Sequence, residues 1–218
     1  MTHLLHIDTS SAPANSASRE VAATFRKVWE QEHPHSTVTY RDLVADPVPH
    51  LAPAGIAARF VDSGEWSDEQ RRAAAVQDSL ISELADADAY LFSVPMYNWG
   101  IPSVFKAWLD QIIVSGRTTA FGGEPQSVAG RPATLIVSSG GSYGPGTPRH
   151  GWDFAAPYLK TVLSGALGMD VHTIKIELTM APHNPAMADF LEQAEASRAQ
   201  AHAQAETQAR ALTELSVG

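Results

Sequence analysis

Residues 88–100 read DAYLFSVPMYNWG, and the two halves of this stretch behave differently. From Ala89 to Val94 the chain is apolar apart from Ser93, and it is too short for a helix that could bury itself. A run of this length without polar alternation suits a strand covered on both faces, as in a parallel sheet. Beyond Pro95 come two aromatics, Tyr97 and Trp99, with Asn98 between them and Gly100 to turn the chain.

The same strand signal recurs on either side. LLHID (residues 4–8) and ATLIVSS (residues 133–139) are short, apolar and stopped by small polar residues. STVTYRDL (residues 36–43) and VHTIKIEL (residues 171–178) alternate, as edge strands do. Between them lie helix-period segments. Residues 18–32 carry Val21, Ala22, Phe25, Val28 and Trp29 at helical spacing, and residues 67–86 open with a Ser67/Gln70 capping box. Residues 101–114, 154–167 and the Ala/Gln/Glu-rich tail 186–215 complete the set, the tail forming an outer layer. Five alternations predict a doubly wound, five-stranded parallel sheet with helices on both faces. No repeat or boundary divides residues 1–218; the stretches 45–57 and 118–130 read as loops of one domain.

Composition narrows the function classes. A net charge of −9, with no local basic patch, argues against nucleic acid or an anionic membrane as partner. The absence of cysteine rules out disulfides, thiolate nucleophiles and zinc–thiolate sites. The nine histidines show no metal-ligand spacing, so no metal site is expected. A Ser-His-Asp set could be assembled from Ser10, His150 and Asp8, but the nucleophile elbow GxSxG is missing. With no basic, apolar leader and no long apolar run, the chain reads as a cytoplasmic protein.

In an open parallel sheet, ligands bind beyond the carboxyl ends of the strands. Three such ends carry ligand-type loops. DTSSAPANSAS (residues 8–18) gathers hydroxyls at Ser10, Ser11, Ser16 and Ser18 before a helix start, which suits a phosphate. No GxGxxG or GxxxxGK[ST] is present, so the dinucleotide and P-loop readings lose their motif. PMYNWG offers flat apolar faces and one amide, the requirements of a planar ring with polar edges. SSGG (residues 138–141) lets backbone approach a ligand closely, since glycine has no Cβ. Taken singly, each could be a capped loop, a lid over the sheet end or a plain turn.

Together the motifs resemble the FMN-dependent NADH-azoreductases, flavodoxin-like reductases of quinones and azo compounds. The resemblance covers essentially the whole chain: the SS…SxS loop, PMYN-W-G-IP before a helix, the S-x-GG turn and a later PYL. Trp99 stands where many relatives have Phe. The resemblance implies one FMN per chain, its phosphate at Ser10, Ser16, Ala17 and Ser18. Its ring would lie among Met96, Tyr97, Asn98 and Trp99 and beside Ser138, Ser139, Gly140 and Gly141. It also implies a two-electron ping-pong: NADH or NADPH reduces the flavin and leaves, and a quinone or azo compound is then reduced. Because the flavin carries the chemistry, no side chain is expected as an obligatory acid or base. A homodimer is implied as well, with Phe121 reaching toward the partner's flavin.

On the sequence side, Phe105, Trp108, Ile112 and Ile113 fit either a dimer face or the core. Tyr143 and Arg149, in the Gly/Pro-rich segment 142–152, are candidate substrate contacts; a plain surface connection is the alternative. A flavodoxin-type electron carrier without its own substrate is the rival reading of the whole chain. The segments 118–130 and 142–152 offer pocket material that a carrier does not need.

Overall fold

The computed structural model describes residues 2–120 and 126–212. Strands β1 (His3–Asp8), β2 (Thr37–Asp42), β3 (Ala89–Pro95), β4 (Pro132–Ser138) and β5 (Asp170–Ile176) form one sheet in the order β2-β1-β3-β4-β5. Every neighbouring pair is parallel. This is the flavodoxin-like, five-stranded doubly wound sheet predicted from the alternation, with β2 and β5 at its edges. Strand order reverses between β1 and β3, which puts the switch point at their carboxyl ends.

Successive residues of the inner strands feed opposite cores, and this is why their sequences show no alternation. Leu4, Leu91 and Ile136 pack with helix α1 (Ala17–Glu32) and the alanine stripe Ala201, Ala205 and Ala209 of α6 (Leu191–Ala211). Leu5, Phe92 and Leu135 face the other way, toward α3 (Asp68–Asp86), α4 (Ser103–Ile112) and α5 (Ala156–Lys160). The capping box of α3 forms between Ser67 and Gln70. Small residues on α6 let that polar helix lie close against α1 while its other side meets water.

Four expectations need adjustment. Residues 45–57 are not wholly irregular: a short helix, α2 (Pro53–Ala57), starts on Pro53, whose fixed φ suits a first helical position. The helix predicted over 154–167 begins at Ala156, because Asp153 Oδ1 accepts the N–H groups of Ala155 and Ala156 and caps the turn. It continues as a wide π-helical turn over Thr161–Ala166. The tail first makes 3₁₀ turns over Pro185–Phe190, capped by Asn184, before α6 proper. Finally, Phe105, Trp108 and Ile112 are fully buried and Ile113 packs against the same core, so the core accounts for them without a second chain.

Phe92 sits at the centre of the α3–α4 side, with ring centroids 6.0 Å from Tyr90, 5.8 Å from Phe105 and 5.9 Å from Trp108. Truncating it leaves a cavity among rings that cannot collapse into it. Phe92→Ala is expected to lower unfolding free energy by about 3–5 kcal/mol, read from urea denaturation with the m-value unchanged.

Candidate functional site

The carboxyl end of β1 is fastened to β3 before the chain enters its polar loop. Thr9 donates to the Ser93 carbonyl with both its N–H (3.1 Å) and its hydroxyl (2.9 Å). Ser10 is buried, and Ser16 caps α1, its Oγ accepting the Arg19 N–H at 3.4 Å. The Ser16 and Ser18 hydroxyls lie 3.2 Å apart, with Ala17 between them opening the helix. The first-turn N–H groups of α1 have no intrahelical acceptor, so hydroxyls and N–H donors converge at the positive end of a helix.

Beside this loop lies a charged group that the motifs do not announce. Arg19 grips Asp42 with two hydrogen bonds (2.7 and 2.9 Å) and lies 3.5 Å from Asp8. Asp8 also accepts the Tyr40 hydroxyl (2.8 Å) and lies 3.2 Å from His6 Nε2. Burial pushes the Asp8 carboxyl up, but His6, Tyr40 and Arg19 outweigh it and hold the group below its ordinary value. Burial, joined by the bond to Asp8, pushes the Tyr40 phenol up to about 12.

After β3 the chain makes a tight turn. The Tyr97 N–H donates to the Gly100 carbonyl and the Gly100 N–H to that of Tyr97, both at 3.0 Å. Between them Asn98 (φ 49°) and Trp99 (φ 66°) are both left-handed, the conformation of a type I′ turn. Asparagine tolerates this; tryptophan does so at a cost. The turn holds the indole against Trp152, edge to face at 5.4 Å, with the Arg149 guanidinium 5.9 Å from each ring centre. Tyr97 reaches back to the first loop, where its hydroxyl accepts the Ser11 N–H at 2.9 Å and lies 3.5 Å from Ser10 Oγ. Burial raises the Tyr97 phenol, but these bonds and the charge of Arg19 prevail and leave it below the usual tyrosine value.

The third loop is tied to the other two by Met96, whose N–H donates to the Ser138 carbonyl at 2.7 Å. Ser139 Oγ donates to the Gly141 carbonyl at 2.8 Å. The carbonyls of Ser139, Gly140 and Gly141 accept from Thr179, Met180 and Leu178, beyond β5. Among the described residues no backbone carbonyl takes the N–H of Gly140 or Gly141. A Cβ on Gly140 would stand 2.7 Å from Met180 Cγ, so its missing side chain admits Met180. Tyr143 lies against Gly141.

The three loops thus meet at one edge of the sheet. A family model described as "Flavodoxin-like fold" matches residues 2–207. The chain is 51% identical over 215 residues to the FMN-dependent NADH:quinone oxidoreductase of Streptomyces avermitilis, covering 98% of each chain. It is 49% identical to the protein of that name from Streptomyces coelicolor, over 98% of this chain and 96% of the relative. The chain belongs to the FMN-dependent NADH:quinone oxidoreductase family. Its fold also matches that of an FMN-dependent NADH-azoreductase from Bacillus anthracis in complex with FMN. There the TM-score is 0.82 and the identity 20%, covering 98% of this chain and 100% of that one.

Within the family's fold, the structure brings Ser10, Ser16, Ala17, Ser18, Met96, Tyr97, Asn98, Trp99, Ser138, Ser139, Gly140 and Gly141 to the carboxyl edge of β1, β3 and β4. Segment 142–152 joins them: its Arg149 and Trp152 meet Trp99, and the Phe154 N–H donates to the Trp99 carbonyl at 3.0 Å. Phe121 lies outside the described residues. Motif reading passed over Arg19, Asp42, Tyr40 and His6. One signal was available: an arginine in the first turn of a helix opposes the helix dipole and needs a local anion.

The strained turn yields a test with an unusual sign. Trp99→Ala and Trp99→Gly lose the same ring, but only glycine takes the left-handed conformation freely. Trp99→Gly is expected to be the more stable variant by about 1 kcal/mol, the reverse of the ordinary order. Parallel urea titrations decide it; an alanine variant of equal or greater stability would contradict the strain.

Proposed function

We propose that the chain binds one FMN at this edge and uses it to carry two electrons from NADH or NADPH to a quinone or an azo compound in a ping-pong cycle. The observation that carries the reading is the convergence of an anion-type donor set at α1 with an aromatic, amide-bearing turn at Tyr97–Gly100. Both ends of the donor set fit the cofactor. Ser10, Ser16, Ala17 and Ser18 would take its phosphate; Met96, Tyr97, Asn98, Trp99, Ser138, Ser139, Gly140 and Gly141 would surround its ring. No second phosphate motif is present for an adenosine half, which favours FMN over FAD.

When bound, the flavin supplies hydride acceptance from the nicotinamide and donation to the acceptor. The chain's own residues bind, orient and shield. The hydroxyls and N–H groups at the helix start would donate hydrogen bonds to the phosphate, at the positive end of the helix. Asn98 and the N–H groups of Gly140 and Gly141 would hold the ring's polar edge, where donors matter most as negative charge grows. Trp99 and Trp152 would form a wall that keeps water from one side of the slot. No side chain is assigned as an obligatory acid or base, and no metal.

Tyr143 and Arg149 would meet the donor or acceptor, Arg149 attracting a diphosphate or a sulfonated dye from its place between two indoles. Trp99, Trp152 and Phe154 leave aromatic surface exposed at the rim of the site. A second copy would cover it, in keeping with a homodimer. Among the described residues no helix is long and apolar enough to cross a membrane. We place the working enzyme in the cytoplasm, without nucleic acid.

Purified protein should be yellow and release FMN on heating. It should oxidise NADH or NADPH steadily with a quinone, with parallel double-reciprocal plots, and sediment as two chains. Release of FAD, a sedimentation mass of one chain, or intersecting plots would each remove that part of the reading. Flavin reduction without turnover would return the chain to an electron carrier.

Arg149→Ala and Tyr143→Ala are expected to raise KM for donor or acceptor several-fold at unchanged flavin content, the pattern of lost substrate binding. KM values unchanged for every pair tried would make segment 142–152 a plain surface connection.

A further inference from the structure

Arg19 stands where a cation is least welcome, in the first turn of α1, and its side chain is only 12% exposed. Two carboxylates mount it there. Asp42 takes both ends of the guanidinium fork, and Asp8 lies 3.5 Å away. Each carboxylate is itself braced. Asp42 Oδ1 accepts the N–H groups of Val44 (3.0 Å) and Ala45 (3.3 Å), while Asp8 is held by Tyr40 and His6. One cation set between two carboxylates leaves no net positive charge for a ligand, although the Arg19 Nε–H is buried without a partner among the described residues.

What the fork does have is a further hydrogen bond, from Nη2 to the Ser10 carbonyl at 2.7 Å. The Ser10 carbonyl and the Ser11 N–H belong to one planar trans peptide, so they point in opposite directions. Fixing one therefore aims the other. The Ser11 N–H points at the Tyr97 hydroxyl, 2.9 Å away, which is also 3.5 Å from Ser10 Oγ. The Ser10–Ser11 peptide is clamped between Arg19 on one side and Tyr97 on the other. Left free, this loop peptide could turn its carbonyl toward the hydroxyl cradle, and a carbonyl oxygen facing a phosphate repels it.

We propose that Arg19 is a positioning residue for the cofactor phosphate: it does not touch the phosphate but holds the Ser10 carbonyl away, so that this stretch of the cradle presents donors only. The inference rests on the reading of Ser10, Ser16, Ala17 and Ser18 as the phosphate site. It assigns Asp8 and Asp42 the task of holding the fork, with Tyr40 and His6 holding Asp8. Arg19 then matters for the phosphate end of the flavin and not for its ring.

The test is a pair of affinities on flavin-stripped full-length protein, FMN against riboflavin, each read from quenching of flavin fluorescence. Arg19→Gln is expected to raise the Kd for FMN about tenfold or more, the effect of a carbonyl acceptor left free to face the phosphate. The Kd for riboflavin, which has no phosphate, should move less than about twofold on the same grounds. A general loss of structure would weaken both flavins together, so an unchanged ratio of the two constants overturns the proposal. Arg19→Lys keeps the charge without the fork; full recovery of FMN binding by lysine would show that charge alone suffices and would also overturn it.

Should Arg19→Gln fail to fold, Asp42→Asn decides. It keeps an oxygen for Val44 and Ala45 while loosening the fork, and must shift the ratio in the same direction. Wild-type protein that binds FMN no better than riboflavin removes the phosphate cradle itself, and this inference with it. Wild-type preference retained in the variants removes the inference alone.

Discussion

The parallel pairing of β1 with β3, Leu4 opposite Ala89 through Asp8 opposite Ser93, determines where the rest of the site can stand. Parallel strands end on the same side, so the chain leaves β1 and β3 at one edge with two unrelated loops side by side. Thr9 seals that junction with two bonds to Ser93, and Tyr97 can then reach Ser11 across 86 residues of sequence. β4 adds the third loop by pairing Ser138 with Pro95. A slip of one residue in this register would exchange Leu91 with Phe92 between the two cores and move Tyr97 away from its partner.

Much of this was legible because double-sided burial writes itself into sequence. LLHID, AYLFSVP and ATLIVS have no alternation since both faces are covered, and the polar loops after them mark the carboxyl edge. What escaped notice depends on pairs rather than runs. Arg19 finds Asp42 at a separation of 23 residues, and neither position is unusual alone apart from the arginine's place in the helix. Asp153 shortens α5 through two backbone bonds that periodicity cannot register. The apolar residues of α4 looked sufficient for two interfaces, yet large rings such as Phe105 and Trp108 can be consumed by one core.

Local rules fail most clearly at the site. A tryptophan at φ 66° and a glycine whose absent Cβ admits a methionine are choices that stability alone does not favour. Asn-Gly would make the easier turn at residues 98 and 99. The chain instead keeps an aromatic ring there, in contact with Trp152 and under Arg149, and the surrounding contacts hold the backbone in place.

Segment 142–152 is fastened near both feet and hardly elsewhere on the sheet. Ser142 donates to Glu177 at 3.0 Å, and just past its other end Lys175 donates to Asp153 at 2.9 Å, so both anchors lie within two residues of the end of one edge strand. Between those anchors the path is set mainly by glycines, prolines and the rings it meets. In design terms the segment is a handle: held at two points beside one edge strand, it could be exchanged without disturbing the register of the sheet.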